Sequence, residues 1–270
     1  MRAKILSWNA EGAFVLGSKT RRAVPEQAIE TLEKLETDIA VIPEFGDYER
    51  IDPVVLQKLG EIGYDITLAD YADGTGMSMA LLSRLPVLNK IVARFADLRS
   101  MPTVDVCDNR GEELRIVGVH LDDAREENRL RQAADLVELL AGSRVPTVVA
   151  GDFNAMDSKT WFARLCRTGL VESVRSSDPE RKFGYVAQRL SEMALGTTID
   201  YLRENSSLKN CDPHQIQPTI SARQRGFEWL PSWRLAKIDW TFCSPGLNSF
   251  NYKVYPDAGA DHRPITFEID

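Results

Sequence analysis

Apolar residues recur along the chain in short runs separated by longer amphipathic stretches. The runs at 4–8, 39–43, 78–82, 87–95, 114–119, 147–150, 237–242, 252–255 and 265–269 are brief and rich in Val and Ile, which predicts strands. Between them lie helical patterns. Residues 25–36 open on Pro25, suited to a first helical turn, and place Ala28, Ile29, Leu32 and Leu35 on one stripe. Residues 124–140 repeat this with Leu130, Ala133, Ala134, Val137 and Leu140, and 158–167 is a shorter helix. Strands alternating with helices, together with neighbouring strand pairs, predict an α/β fold with mixed sheets. The stretch 176–233 is polar and punctuated by Pro179, Pro213, Pro218 and Pro231, so it reads as an irregular insertion within a single 1–270 domain.

With 270 residues, 43% hydrophobic and 27% charged, the composition is that of a globular protein and excludes disordered and fibrous classes. No apolar run approaches the roughly 18 residues needed to span a bilayer. Taken as the start, Met1 leaves no room for a secretory leader, so a cytoplasmic location is expected. Cys107, Cys166, Cys211 and Cys243 are widely spaced, which fits buried thiols and not a disulfide framework or zinc site. The net charge of −7 argues against a non-specific nucleic-acid coat. It leaves room for an enzyme acting on phosphate esters, because a bound divalent cation reverses the local field.

The chemistry lies at the ends of the runs. Residues 5–8 lead to Asn9 and Glu11, 39–43 to Glu44, 116–119 to His120, and 148–150 through Gly151 to Asp152 and Asn154. Ile238 is followed by Asp239, and Asp261–His262 precede the last run. Strand ends fix side chains while adjoining loops leave them open to a ligand, so these separate segments point to one convergent site. Carboxylates and amides with few histidines suit a hard cation, Mg²⁺ or Mn²⁺, better than zinc. Such an ion stabilises charge on a phosphoryl oxygen, and imidazoles add hydrogen bonds or exchange protons near neutral pH.

Taken in order, SWNAEG (7–12), PEF (43–45), GVHL (118–121), GDFNA (151–155), IDWTFCSPG (238–246) and ADHRP (260–264) resemble the endonuclease/exonuclease/phosphatase superfamily over nearly the whole chain. The resemblance implies a DNase-like four-layer α/β sandwich, with two packed mixed β-sheets flanked by helices, and a metal-dependent phosphoesterase site. By motif, Glu44 is expected to be the principal metal carboxylate, with Asn9, Glu11 and Asp261 near the ion. Asp152 would orient or deprotonate the attacking water, and Asn154 would hold the phosphate. His262, oriented by Asp239, would face the scissile phosphate, with His120 as the second imidazole and a proton donor to the leaving oxygen. Arg263 is the expected substrate-binding cation. Ala260 stands where the family usually has Ser, and Glu11 where it commonly has Asp.

His120 lowers the odds of an abasic-site endonuclease, a branch that generally carries Tyr in this segment. The expected activity is hydrolysis of a phosphodiester, with nucleic acid as a candidate substrate and no obligate protein partner. A phosphomonoesterase acting on a small or lipid phosphate is the alternative, and a catalytically silent binding module is the reading from a different class. The basic loop 17–22 (GSKTRR) reads first as a solvated loop, with a substrate-steering rim as its alternative, and the group Arg223, Arg225, Trp229, Trp233 and Arg234 reads equally as a second candidate rim or as packing surface. His214 reads as a surface residue and the decoy IDY at 199–201 as helix or loop.

Overall fold

Alternation along single strands generates the layers. In the computed structural model, Ile5, Val41 and Leu81 join one buried cluster while their neighbours Leu6, Ile42 and Leu82 join another. The same split separates Ile116 and Val148 from Val117 and Val149. A strand whose successive side chains both find apolar partners must be covered on two faces. Two sheets therefore pack on each other, and helices cover both outer surfaces.

The structure describes residues 1–15, 24–71, 74–95, 99–167, 182–212, 214, 217–221, 234–256 and 258–270. In chain order the elements are β1 (Ala3–Ser7), α1 (Pro25–Leu35), β2 (Ile39–Asp47), α2 (Pro53–Glu61), β3 (Asp65–Asp70), β4 (Met77–Ser83), β5 (Val87–Arg94), β6 (Ser100–Cys107) and β7 (Glu113–His120). Then follow α3 (Glu126–Ala141), β8 (Thr147–Asp152), α4 (Trp161–Arg167), α5 (Lys182–Leu195), α6 (Thr197–Asn205) and β9 (Lys209–Asn210). The chain ends with β10 (Ile220–Ser221), β11 (Arg234–Ala236), β12 (Asp239–Cys243), β13 (Ser249–Val254) and β14 (Ile265–Ile269).

One six-stranded sheet runs β13-β14-β1-β2-β4-β3 and the other β5-β6-β7-β8-β12-β9, with β10 and β11 as a separate pair. Both sheets are mixed: β1 and β2 are parallel, as are β7 and β8, while the other pairs are antiparallel. Ile5, Val41, Leu81 and Phe267 meet Val104, Ile116 and Val148 between the sheets. α1 and α2 cover the first sheet through Ala28, Leu32, Val55 and Leu59. α3 and α6 cover the second through Ala133, Leu136, Ile199 and Leu202. This is the four-layer sandwich that the motifs implied.

The differences from the sequence reading have local causes. β6 contains Pro102, which lies opposite Val92 of β5 and just outside the β7 pairing, which begins at Thr103. Its Asp105 lies opposite Arg115 on β7 and accepts two guanidinium hydrogen bonds, at 2.7 and 2.9 Å. That pair lets a carboxylate sit within a sheet. In the stretch 176–233 the described residues include α5 and α6, so part of it is regular; α6 contains the IDY decoy and packs on α3. The loop 17–22, along with Arg223, Arg225, Trp229 and Trp233, lies outside the described residues, and Arg234 is described only as the first residue of β11. His214 is exposed. Among the described residues, no helix is long and apolar enough to cross a membrane.

Candidate active site

Strand register alone aligns the centre of the site. His120 ends β7, Asp152 ends β8 and Asp239 opens β12; His120 is level with Asp152, and Asp152 with Asp239. Gly151 makes that alignment possible. Its φ is +145°, and a Cβ there would lie 1.9 Å from the Val119 carbonyl oxygen, so a residue with a side chain would push β8 off β7. From the other sheet, the Trp8 N–H donates to the Val41 carbonyl and the Ala10 N–H to that of Pro43, which carries Asn9 alongside Glu44. Glu44 lies where the β2–β4 pairing is irregular, between Ile42 and Gly46.

Glu11, Glu44 and Asn154 all adopt positive φ, at 51°, 47° and 48°. Left-handed backbone costs of order 1–3 kcal/mol per non-glycine residue, and such strain concentrates where geometry serves function.

The side chains converge. The Asn9 amide nitrogen donates to Glu44 Oε1 at 3.2 Å and to Asp152 Oδ2 at 3.0 Å, while its oxygen accepts the Glu11 N–H at 3.0 Å. Asn9 thus presents N–H, and not oxygen, to the two carboxylates. Glu11 accepts the Asp261 N–H at 3.4 Å, tying the loop after β1 to the segment before β14. Asp239 accepts from His262 Nδ1 with both oxygens, at 3.1 and 2.9 Å, and His262 Nε2 stands 3.6 Å from Asp152 Oδ2. His120 Nε2 is 3.7 Å from Glu44 Oε1 and 3.8 Å from Asp152 Oδ2. The Asn154 N–H donates to Asp152 Oδ1 at 2.8 Å, and its side-chain amide donates to the Leu121 carbonyl at 3.0 Å. Arg263 is buried and directs one guanidinium nitrogen to the Pro218 carbonyl at 3.4 Å.

Burial sets the charges. It pushes the Asp152 carboxyl up to about 7, against the pull of His262 and with the push of Asp239, and raises Glu44 against its hydrogen bond from Asn9. Burial also drives the His120 imidazole well below its usual range, helped by the charges of Arg99 and His262. For His262 burial works against the charged form, but Asp239 and Asp152 outweigh it and hold the imidazole well above the usual histidine range. One imidazole is therefore neutral and the other cationic, on either side of a carboxyl poised near neutrality.

The donor chemistry fits a divalent cation. Asp152 is a buried and Glu44 a half-buried oxygen donor, and desolvation raises both carboxyls, a cost to their negative charge that a dication relieves. Asp152, Asp239 and His262 also each present a ligand atom within 4.8 Å of the others.

Sequence reasoning passed over residues that build the site from behind. Tyr71, just after β3, places its hydroxyl 2.9 Å from His120 Nδ1. Thr219 Oγ1 accepts the N–H groups of Ile238 and Asp239, both at 3.1 Å, fixing the start of β12. The Trp8 indole donates to the His262 carbonyl at 3.3 Å. Tyr71 was detectable in principle as another polar residue at a strand end, had 65–70 been recognised as a strand.

A two-sheet sandwich with carboxylates and two unlike imidazoles at one sheet end defines a class of phosphoester hydrolases. The sequence model of the Endonuclease/Exonuclease/phosphatase family matches residues 6–262, and the chain belongs to that family. Among solved structures it is similar to an endonuclease/exonuclease/phosphatase from Bacteroides vulgatus, at 17% identity and TM-score 0.68, covering 100% of this chain and 99% of the other. It is similar to a mannosyl-6-phosphatase of Bacteroides thetaiotaomicron, at 16% identity and TM-score 0.63 with 99% of both chains covered. It is also similar to the human Nocturnin catalytic domain with a bound sulfate anion, at 15% identity and TM-score 0.65, covering 100% of this chain and 93% of that one. Among curated protein sequences, none matches.

Proposed function

We propose that the protein is a Mg²⁺- or Mn²⁺-dependent phosphodiesterase that cleaves a P–O bond by in-line attack of water. The reading rests on one arrangement above all: a carboxyl near neutrality, Asp152, stands between the cationic His262 and the neutral His120, beside the oxygen donor Glu44. Glu44 would hold the ion, with Glu11 and Asp261 close by and Asn9 orienting Glu44 against Asp152. A bound dication supplies Lewis-acid stabilisation of charge on a phosphoryl oxygen. His262 lends itself less to ligation, because its Nδ1 is committed to Asp239 and its charge would repel the ion.

Asp152 accepts the proton of the attacking water, which its position near pH 7 suits. Asp239 keeps His262 charged and aimed, so that Nε2–H donates to the phosphoryl oxygens where negative charge develops. His120 lies on the side of the leaving oxygen. The Asn154 N–H holds the Asp152 carboxylate in one rotamer, and the buried Arg263 props the segment before β14 through the Pro218 carbonyl.

Hydrolysis of bis-p-nitrophenyl phosphate tests this directly. With Mg²⁺ or Mn²⁺ the protein is expected to turn over and EDTA to stop it, and Asp152→Ala or His262→Ala should lower kcat about 10²–10⁴-fold. Metal-independent turnover, or wild-type rates in both variants, contradicts the reading. A phosphomonoesterase is the second reading, favoured by the fold shared with a mannosyl-6-phosphatase; faster turnover of p-nitrophenyl phosphate than of the diester would select it.

A further inference from the structure

Two imidazoles serve one site, and the groups behind them differ. His262 Nδ1 is backed by a carboxylate, Asp239. His120 Nδ1 is backed by the phenol of Tyr71, at 2.9 Å, with ring centroids 5.4 Å apart. Both Tyr71 and His120 are buried, so neither trades this partner for water.

The direction of that hydrogen bond follows from what His120 faces on its other side. If Nδ1–H donated to the phenol, the Nε2 lone pair would point toward Glu44 Oε1 and Asp152 Oδ2, 3.7 and 3.8 Å away. Lone pair against carboxylate is repulsive, most strongly for the buried Asp152. If the phenol O–H donates to Nδ1, Nε2 carries the proton and its N–H dipole points toward both oxygens.

We propose that Tyr71 is a positioning residue that locks His120 as the Nε2–H tautomer, so that the imidazole offers the leaving oxygen a hydrogen bond and not a lone pair. This rests on the reading of His120 as the leaving-group imidazole. A neutral imidazole N–H is too weak an acid to surrender its proton, so His120 stabilises the developing oxyanion while solvent supplies the proton. The leaving-group side then differs from the water side by the exchange of a carboxylate partner for a phenol.

The tautomer is read from two-bond ¹H–¹⁵N correlation spectra of histidine-labelled protein. The wild type should show the Nε2-protonated pattern at His120, and Tyr71→Phe, which leaves Nδ1 without a donor, should show a mixture of the two tautomers. In kinetics with Mg²⁺, Tyr71→Phe should leave KM within twofold and lower kcat about 10-fold on methyl phenyl phosphate, the equivalent of one hydrogen bond. The loss should be clearly smaller on methyl p-nitrophenyl phosphate, whose leaving oxygen needs less help. An Nδ1-protonated pattern in the wild type, or equal losses on both esters, overturns the proposal. If Tyr71→Phe fails to fold, the wild-type spectrum decides alone. If neither ester turns over, the phosphoesterase reading falls, while the spectrum still decides the role of Tyr71.

Discussion

Asp152 sets stability against chemistry. Its carboxyl is raised from an unfolded value near 3.8 to about 7, so the folded state binds that proton more tightly than the unfolded state does. Stability from this group is complete below about pH 4 and is lost as the pH rises through 7. Asp152→Asn removes the buried charge while keeping most of the shape. Without metal at pH 8 it is expected to raise Tm by a few degrees, since 1 kcal/mol shifts a chain of this size by about 2–4 °C, while with Mg²⁺ it should lower kcat about 10²–10⁴-fold. Thermal melts in EDTA at pH 5 and pH 8 check this; an equal or lower Tm for the variant at pH 8 counts against it. The identities of Asp152, Asp239, His120 and His262 were legible in the sequence because each adjoins an apolar run. How Asn9 and Asn154 point was not, since whether an amide turns its oxygen or its nitrogen toward a carboxylate depends on a donor elsewhere in the chain, here the Glu11 N–H for Asn9.

Between strands, register does what no single residue can. β7, β8 and β12 deliver His120, Asp152 and Asp239 at one level, and Gly151 lets β8 pass close to Val119 just before Asp152. Gly151→Ala places a methyl group against backbone that cannot swing away. It is expected to cost more than about 2 kcal/mol and to depress kcat even in molecules that remain folded, by shifting Asp152. Urea unfolding together with turnover per folded molecule measures both, and a variant with wild-type values would show that β8 has slack there. Elements with a clean period were readable, including α1 and the strands β1, β7, β8 and β14. β3 and β6 escaped because Asp65, Asp70 and Asp105 break the apolar pattern, and their partners Lys90, Arg94 and Arg115 lie on other strands. α5 and α6 escaped because the prolines around them read as loop.

Across the whole molecule, the inter-sheet core holds the two halves of the site together. Asn9, Glu11, Glu44 and His262 belong to segments of one sheet, and His120, Asp152 and Asp239 to the other. Phe267, fully buried between the sheets, is part of that joint; Phe267→Ala is expected to cost about 3–5 kcal/mol and lower Tm by roughly 10 °C, read by calorimetry. A drop of only a degree or two would mean the sheets are held elsewhere. We read the chain as one domain, since α6, from within 176–233, packs into the same outer layer as α3. The central claim is that the acidic end of this sandwich grips a divalent ion through oxygen donors while His262 stays free for phosphate. Anomalous diffraction from crystals soaked in Mn²⁺ tests it most directly. A manganese peak at the Glu44 carboxylate, on the side of Glu11 and Asp261, is the predicted result. A peak held by His262 between Asp152 and Asp239, or no peak at millimolar Mn²⁺, would contradict it.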